Sequence, residues 1–283
     1  KAHAELLITK PDAMRPVFII GSEVPIPGGA QEAEDSLAVT KPEAFEDTVR
    51  TYQKAFADAG IPRGFDDVIA VVVQPGVEFG DDQVFFYDHT AAKDLCAKLA
   101  KYPQVAFEGH STDYQRAKCL REMVEDGIII LKVGPALTYG LREALFALTM
   151  MERELVPAQE QAYLIETLEQ VMMENPNNWQ KHYHGSFKQL GLARKYSFSD
   201  RARYYIGGKK MVETQEKLFA NLRKYPIPMN MLHQFMPLQY AKVRGGALEP
   251  DPKALALDGV AQFMADYEYA AGWTGSGQSR KAV

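Results

Sequence analysis

Four short apolar runs, each followed by an amphipathic stretch, constrain this chain more than any other feature. They are VFIIG at 17–21, VIAVVVQPG at 68–76, VAFEG at 105–109 and IIILKVG at 128–134. The second is continuous and β-branched, as in a strand covered on both faces within a parallel sheet. Between the runs the apolar period becomes helical. Residues 42–60 put Pro42 in the first turn, acids early, Val49, Tyr52 and Phe56 on one face, and Gly60 at the stop. Further helices are predicted at about 90–101 and 112–126, and ALTYGLREALFALTMMEREL, starting at Ala136, gives the clearest one. Strand then helix, four times over, reads as a parallel α/β sheet, and nothing in this half signals an antiparallel hairpin.

After Pro157 the alternation stops. Helical patterns cover 158–174, about 209–224, about 229–243 and 254–271. The chain therefore divides into an α/β part, 1–155, and a helical extension, 156–283. Four strands do not close a (β/α)8 barrel. A small open sheet with a helical appendix is one explanation, and a chain that begins mid-barrel is the other. The opening KAHAELLITKP reads as the tail of a helix and favours the second, which makes the expected fold the C-terminal half of a TIM barrel.

Composition removes several functions. A formal charge of −5 over 283 residues gives no electrostatic reason to bind nucleic acid or an anionic membrane. No apolar run approaches the roughly 18 residues of a membrane helix. Two cysteines, Cys96 and Cys119, without a CxxC pattern, support neither a disulfide framework nor a cysteine zinc site, and fit a reducing cytosol.

In parallel α/β folds the reactive groups gather where strands end. Those positions hold Glu23 after the first run, Gln74 at the end of the second, Glu108 and His110 around the third, and Lys132 with Gly134 at the fourth. Acids, an amide, an imidazole and an amine at equivalent strand ends suit a sugar phosphate with a divalent metal such as zinc. Glu23 and Glu108 are candidate bases with Lys132 beside them, and His110 is the candidate metal ligand. Gln74 serves either a substrate or the buried backbone. Lys132, read as lying inside a strand, needs an anionic partner, since an unpaired charge there would cost on the order of 3–5 kcal/mol. KVGPALT offers a phosphate cradle, with Gly134 permitting close approach, Pro135 at the first helical position and Thr138 in the first turn. Ser111 and Thr112 are read as a helix start that provides a second set of amides. Arg201, in SFSDRARYY, is either part of a helix cap and ion pair or a phosphate clamp. His182 and His184 read as an exposed pair, and GGK at 207–209 lacks the rest of a nucleotide-binding P-loop.

The strings GSEVPIPGGAQE, VVVQPGVEF, EGHSTDYQ, LKVGPALTYGLREALFAL and YSFSDRARYY, in this order, resemble the accessory subunit of class II D-tagatose-1,6-bisphosphate aldolase, the GatZ/KbaZ family. The resemblance implies barrel strands five to eight in residues 16–155, an oligomer, and a catalytic aldolase subunit as partner in galactitol or N-acetylgalactosamine catabolism. It also implies a departure from catalytic class II aldolases, which place a zinc-binding histidine where Gln74 stands. Two functions remain open: support of a catalytic partner, or metal-assisted C4 epimerisation of a ketohexose phosphate by the chain itself.

Overall fold

The computed structural model describes residues 5, 8–14, 16–21 and 37–273. Strand β1 (Phe18–Ile20) is followed by helix α1 (Pro42–Asp58) and strand β2 (Val68–Val73). Two short strands, β3 (Glu78–Phe79) and β4 (Val84–Phe85), precede helix α2 (His89–Leu99). Strand β5 (Ala106–Gly109), helix α3 (Ala117–Glu125), strand β6 (Ile128–Leu131) and helix α4 (Pro135–Leu155) complete the alternating half. The order β1-β2-β5-β6 is also the chain order, and every pairing in this sheet is parallel. β3 and β4 pair antiparallel, so the β2–α2 connection carries a hairpin that the sequence did not signal. Each of its strands is only two residues long, too short to show a period of two.

The predicted signals act where they were placed. Pro42 opens α1, and Gly60 follows it in the left-handed region at φ +74°. Val49 and Phe45 are buried against the sheet in a core with Val71, Val73, Phe107, Leu95, Leu120, Met123 and Ile128. At the two outer strands apolar side chains stay in solvent, with Val17, Phe18 and Ile19 at 57%, 37% and 42% exposure on one side and Ile129 at 58% on the other. Among the described residues no further strand pairs with either edge.

The extension holds α5 (Leu164–Glu174), α6 (Phe187–Tyr196), α7 (Arg203–Ile206), α8 (Lys209–Lys224), α9 (Met229–Phe235), α10 (Pro237–Arg244) and α11 (Pro252–Ala270). The predicted helix over 229–243 is broken at Met236, because Pro237 disfavours a helical residue before it. A second apolar cluster joins Leu145, Leu148 and Met151 of α4 to Leu164, Leu168, Met211, Leu218 and Leu255 of the extension. α4 and α11 cross at Gly140 and Gly259, where a Cβ on either would lie 2.7 Å from the other's carbonyl oxygen. Of the described helices none is long and apolar enough to cross a membrane.

Candidate functional site

Phe107 of β5 enters the core, so Glu108, next along the strand, faces the opposite side of the sheet. Its side chain is only 3% exposed. Oε1 lies 2.7 Å from His110 Nε2 and 3.5 Å from Lys132 Nζ, while Oε2 is buried without a hydrogen-bond partner. Glu108, His110 and Lys132 thus meet where β5 and β6 end. Lys132 has the anionic partner the sequence required, but it lies just past β6 and its side chain is 54% exposed. Its charge therefore keeps much of its hydration, and the cost of a buried lysine does not arise.

Gln74 reaches the same end of the sheet. Its Oε1 accepts from the amides of Gly76 and Val77, at 2.9 and 3.0 Å, and so holds the turn that leaves β2. Its backbone is tied to Thr40, whose amide donates to Gln74 O and whose hydroxyl accepts from Gln74 N. Glu23 lies outside the described residues.

The loop after β5 departs from expectation. The helix predicted from 112 begins at Ala117, with Arg116 as its N-cap, so Ser111 and Thr112 are not a helix start. Ser111 and Tyr114 instead take positive φ, at +54° and +61°, and turn the chain across the strand ends. Thr112 is fully buried: its amide and hydroxyl both donate to Lys132 O, at 3.1 and 2.8 Å, and its carbonyl accepts from Tyr267 Oη at 2.8 Å. One residue thereby joins the loops after β5 and β6 to the last helix.

The turn also delivers Asp113 to the start of α4. Oδ1 accepts from the amides of Gly134 and Ala136, at 3.0 and 2.8 Å. These are two of the amides expected to lie open to a phosphate, and a carboxylate from the chain itself already satisfies them. Burial pushes the Asp113 carboxyl above its ordinary range, against the pull of these amides, its own amide and the charge of Arg203. Thr138, one turn on, donates to Asp200 Oδ2 at 2.6 Å, and Arg142 Nε donates to Asp200 Oδ1 at 2.6 Å.

Asp200 belongs to a segment of the extension that sits on these loops. Phe198 N donates to Asp81 O at 2.9 Å in the β3–β4 hairpin, and Tyr114 Oη donates to Phe198 O at 2.6 Å. Ser197 and Ser199 both donate to Asp81 Oδ1. The extension is therefore part of the mouth formed by the strand ends. The family described as D-tagatose-1,6-bisphosphate aldolase subunit GatZ/KbaZ-like matches residues 1–272.

The chain belongs to the GatZ/KbaZ-like family.

The fold of this GatZ/KbaZ-like chain is similar to the crystal structure of a probable tagatose 6 phosphate kinase from Sinorhizobium meliloti 1021, with a TM-score of 0.83 and 44% identity. The likeness covers 95% of this chain and 66% of that one.

Arg201, expected in a cap or as a phosphate clamp, lies in the turn before α7. It is 5% exposed, and Nη1 donates to Asn178 O at 2.8 Å. Sequence reasoning missed Asp113, Tyr114 and Arg142, and read Asp200 only as a possible cap. Asp113 caps a helix 21 positions later, and no local pattern announces a cap from that distance. The signal for Asp200 was present: aspartate tolerates the left-handed region, and Asp200 has φ +42° in the turn before α7.

Proposed function

We propose that this chain is part of the accessory subunit of class II D-tagatose-1,6-bisphosphate aldolase, contributing strands five to eight of a (β/α)8 barrel and a helical extension. On this reading it supports the activity and stability of a catalytic aldolase subunit in the cytoplasmic catabolism of galactitol or N-acetylgalactosamine. The observation that carries the reading is Gln74. Its carbonyl holds the turn after β2, so a structural amide stands where catalytic class II aldolases resemble one another in placing a metal ligand. The parallel order β1-β2-β5-β6, with apolar residues exposed at both outer strands, supports the half-barrel, since unpaired apolar edges invite further strands. The proposed mouth keeps Glu108, His110, Lys132 and Ser111, with Glu23 as a further proposed member.

The second reading, a ketohexose-phosphate C4 epimerase or aldolase in its own right, draws on Glu108. A carboxylate with one oxygen on an imidazole and the other buried and unpartnered is suited to accept a proton or bind a cation. Glu108 Oε2 and His110 fit a divalent ion in part, the remaining ligands coming from outside them. Such an ion would polarise the sugar carbonyl. A kinase reading draws no support from GGK at 207–209: Gly208 only precedes α8, and no strand leads into it.

The test is to purify the full-length protein with the catalytic aldolase subunit and follow cleavage of tagatose 1,6-bisphosphate. The accessory reading expects a complex whose activity outlasts that of the catalytic subunit alone. No complex and no gain in lifetime, together with turnover of tagatose 6-phosphate by the full-length protein and a divalent metal, would replace it with the second reading.

A further inference from the structure

Helix α4 carries Gly140, Ala144 and Ala147 at helical spacing, so one stripe of its surface has almost no side-chain bulk. α11 crosses this stripe at Gly259, and Phe263, one turn on, covers Gly140, where a Cβ would come within 2.9 Å of its ring. The break at Met236, before Pro237, supplies a third wall, which runs from Phe235 to Gln239 at the corner between α9 and α10. Together the three elements line a cavity of about 490 Å³. Small-molecule sites occupy roughly 300–1,000 Å³ and combine apolar walls with a few placed polar groups.

The charged residues of this cavity have one sign. Glu143 and Asp266 bring carboxylates from α4 and α11, and no lysine, arginine or histidine is part of the lining. Gln239, also in the lining, is 5% exposed, and its Nε2 donates to Asp258 Oδ2 at 3.0 Å. A carboxylate accepts and does not donate, so this bond fixes which way the amide faces and leaves Oε1 as an acceptor. None of the described residues donates to that oxygen. A nearly buried acceptor in this position calls for a donor from outside the chain.

A sugar phosphate does not suit such a lining, since it would meet two carboxylates and no cation. A primary ammonium on an apolar body does. It can donate to Gln239 Oε1 and to the Glu143 carboxylate, while the body packs on Phe235, Phe263, Ala144 and Ala147.

We propose that the cavity between α4, α11 and the α9–α10 corner is a binding site for a small organic amine. It is a second site, apart from Glu108, His110 and Lys132, and is independent of the sugar-phosphate reading. Phe263 also packs on the Tyr114 ring in the loop after β5, with centroids 6.0 Å apart, so one side chain is common to the cavity and the mouth.

Calorimetric titration of the full-length protein with 4-phenylbutylamine tests the site, with 4-phenylbutanol and 4-phenylbutyrate as neutral and anionic counterparts of the same shape. The amine should bind at least about tenfold more tightly than the alcohol, and the acid should not bind. Glu143→Gln changes an exposed position, should leave the thermal melt in place, and should weaken the amine by about fivefold through loss of a charged partner. Ala147→Phe places a ring in the space and should abolish amine binding; if that variant does not fold, Glu143→Gln decides alone. No binding of the amine by the parent, equal affinity for amine and alcohol, or unchanged amine affinity in every folded variant overturns the site.

Discussion

Replacing Asp113 separates two roles that one carboxylate combines. Oδ1 accepts from Gly134 N and Ala136 N at the head of a helix of 21 residues, and the residue is 2% exposed. Asp113→Ala removes the acceptor and leaves one buried and one half-buried donor. Each orphaned donor costs about 1–3 kcal/mol, and losing an N-cap costs about 0.5–2 kcal/mol, two descriptions of much the same loss. Against this stands the relief of a buried charge, so a net loss of about 2–3 kcal/mol is expected. Asp113→Asn keeps an oxygen in place and should cost less than about 1 kcal/mol at neutral pH. The pH dependence has a definite sign. A carboxyl whose folded pKa is raised favours the native state below its unfolded pKa and loses that contribution as pH rises through the folded value. The gap between the parent and Asp113→Asn should therefore be widest in acid and narrow toward neutrality. Urea unfolding followed by far-ultraviolet circular dichroism at several pH values measures both effects. An Asp113→Ala variant as stable as Asp113→Asn, or a gap that widens toward neutral pH, would refute the argument.

Other sites give simpler expectations. Glu108→Gln should leave stability within about 1 kcal/mol, because it removes a buried charge with one unpartnered oxygen, yet weaken tagatose 6-phosphate binding in a titration; equal affinity would remove Glu108 from the mouth's chemistry. Asp200→Ala strands buried Arg142 and should cost about 3–5 kcal/mol, with Asp200→Asn costing less because asparagine also tolerates positive φ; equal costs in urea melts would sink the pairing argument. Gly140→Val should cost about 1–3 kcal/mol by forcing α4 from α11, and a differential scanning trace at the parent's midpoint would show that the crossing yields freely.

Much of the alternating half was legible because its signals are local. VIAVVV needs no distant partner to read as a strand, and Pro42 and Gly60 mark both ends of α1. The meeting of Glu108, His110 and Lys132 followed from strand ends alone, since a parallel sheet places them together. Legibility failed where the deciding partner is remote. Thr112 looked like a helix cap, yet Lys132 O and Tyr267 hold it in a turn. KVGPALT looked like open amides, and nothing near it in sequence betrays Asp113. Helix α6 was overlooked because its burial is slight, with only Arg194 fully buried, although Ser186 and Gln189 spell a capping box at its start.

The bonds that seal the mouth have a bearing on how the chain is made. Tyr114 to Phe198 spans 84 positions, Thr138 to Asp200 spans 62, and Thr112 to Tyr267 spans 155. Each must close a long loop before it returns any stabilisation, which slows its formation relative to neighbouring helix contacts. As synthesis proceeds from the N-terminus, the four β/α units emerge while the residues that seat on their loops are still unmade. The mouth is then the last region to set, and the growing chain carries Tyr114 and the hairpin at Asp81 unsealed until the ribosome has passed Asp200. A pause or truncation before that point should yield a species that chaperones recognise by its open strand ends.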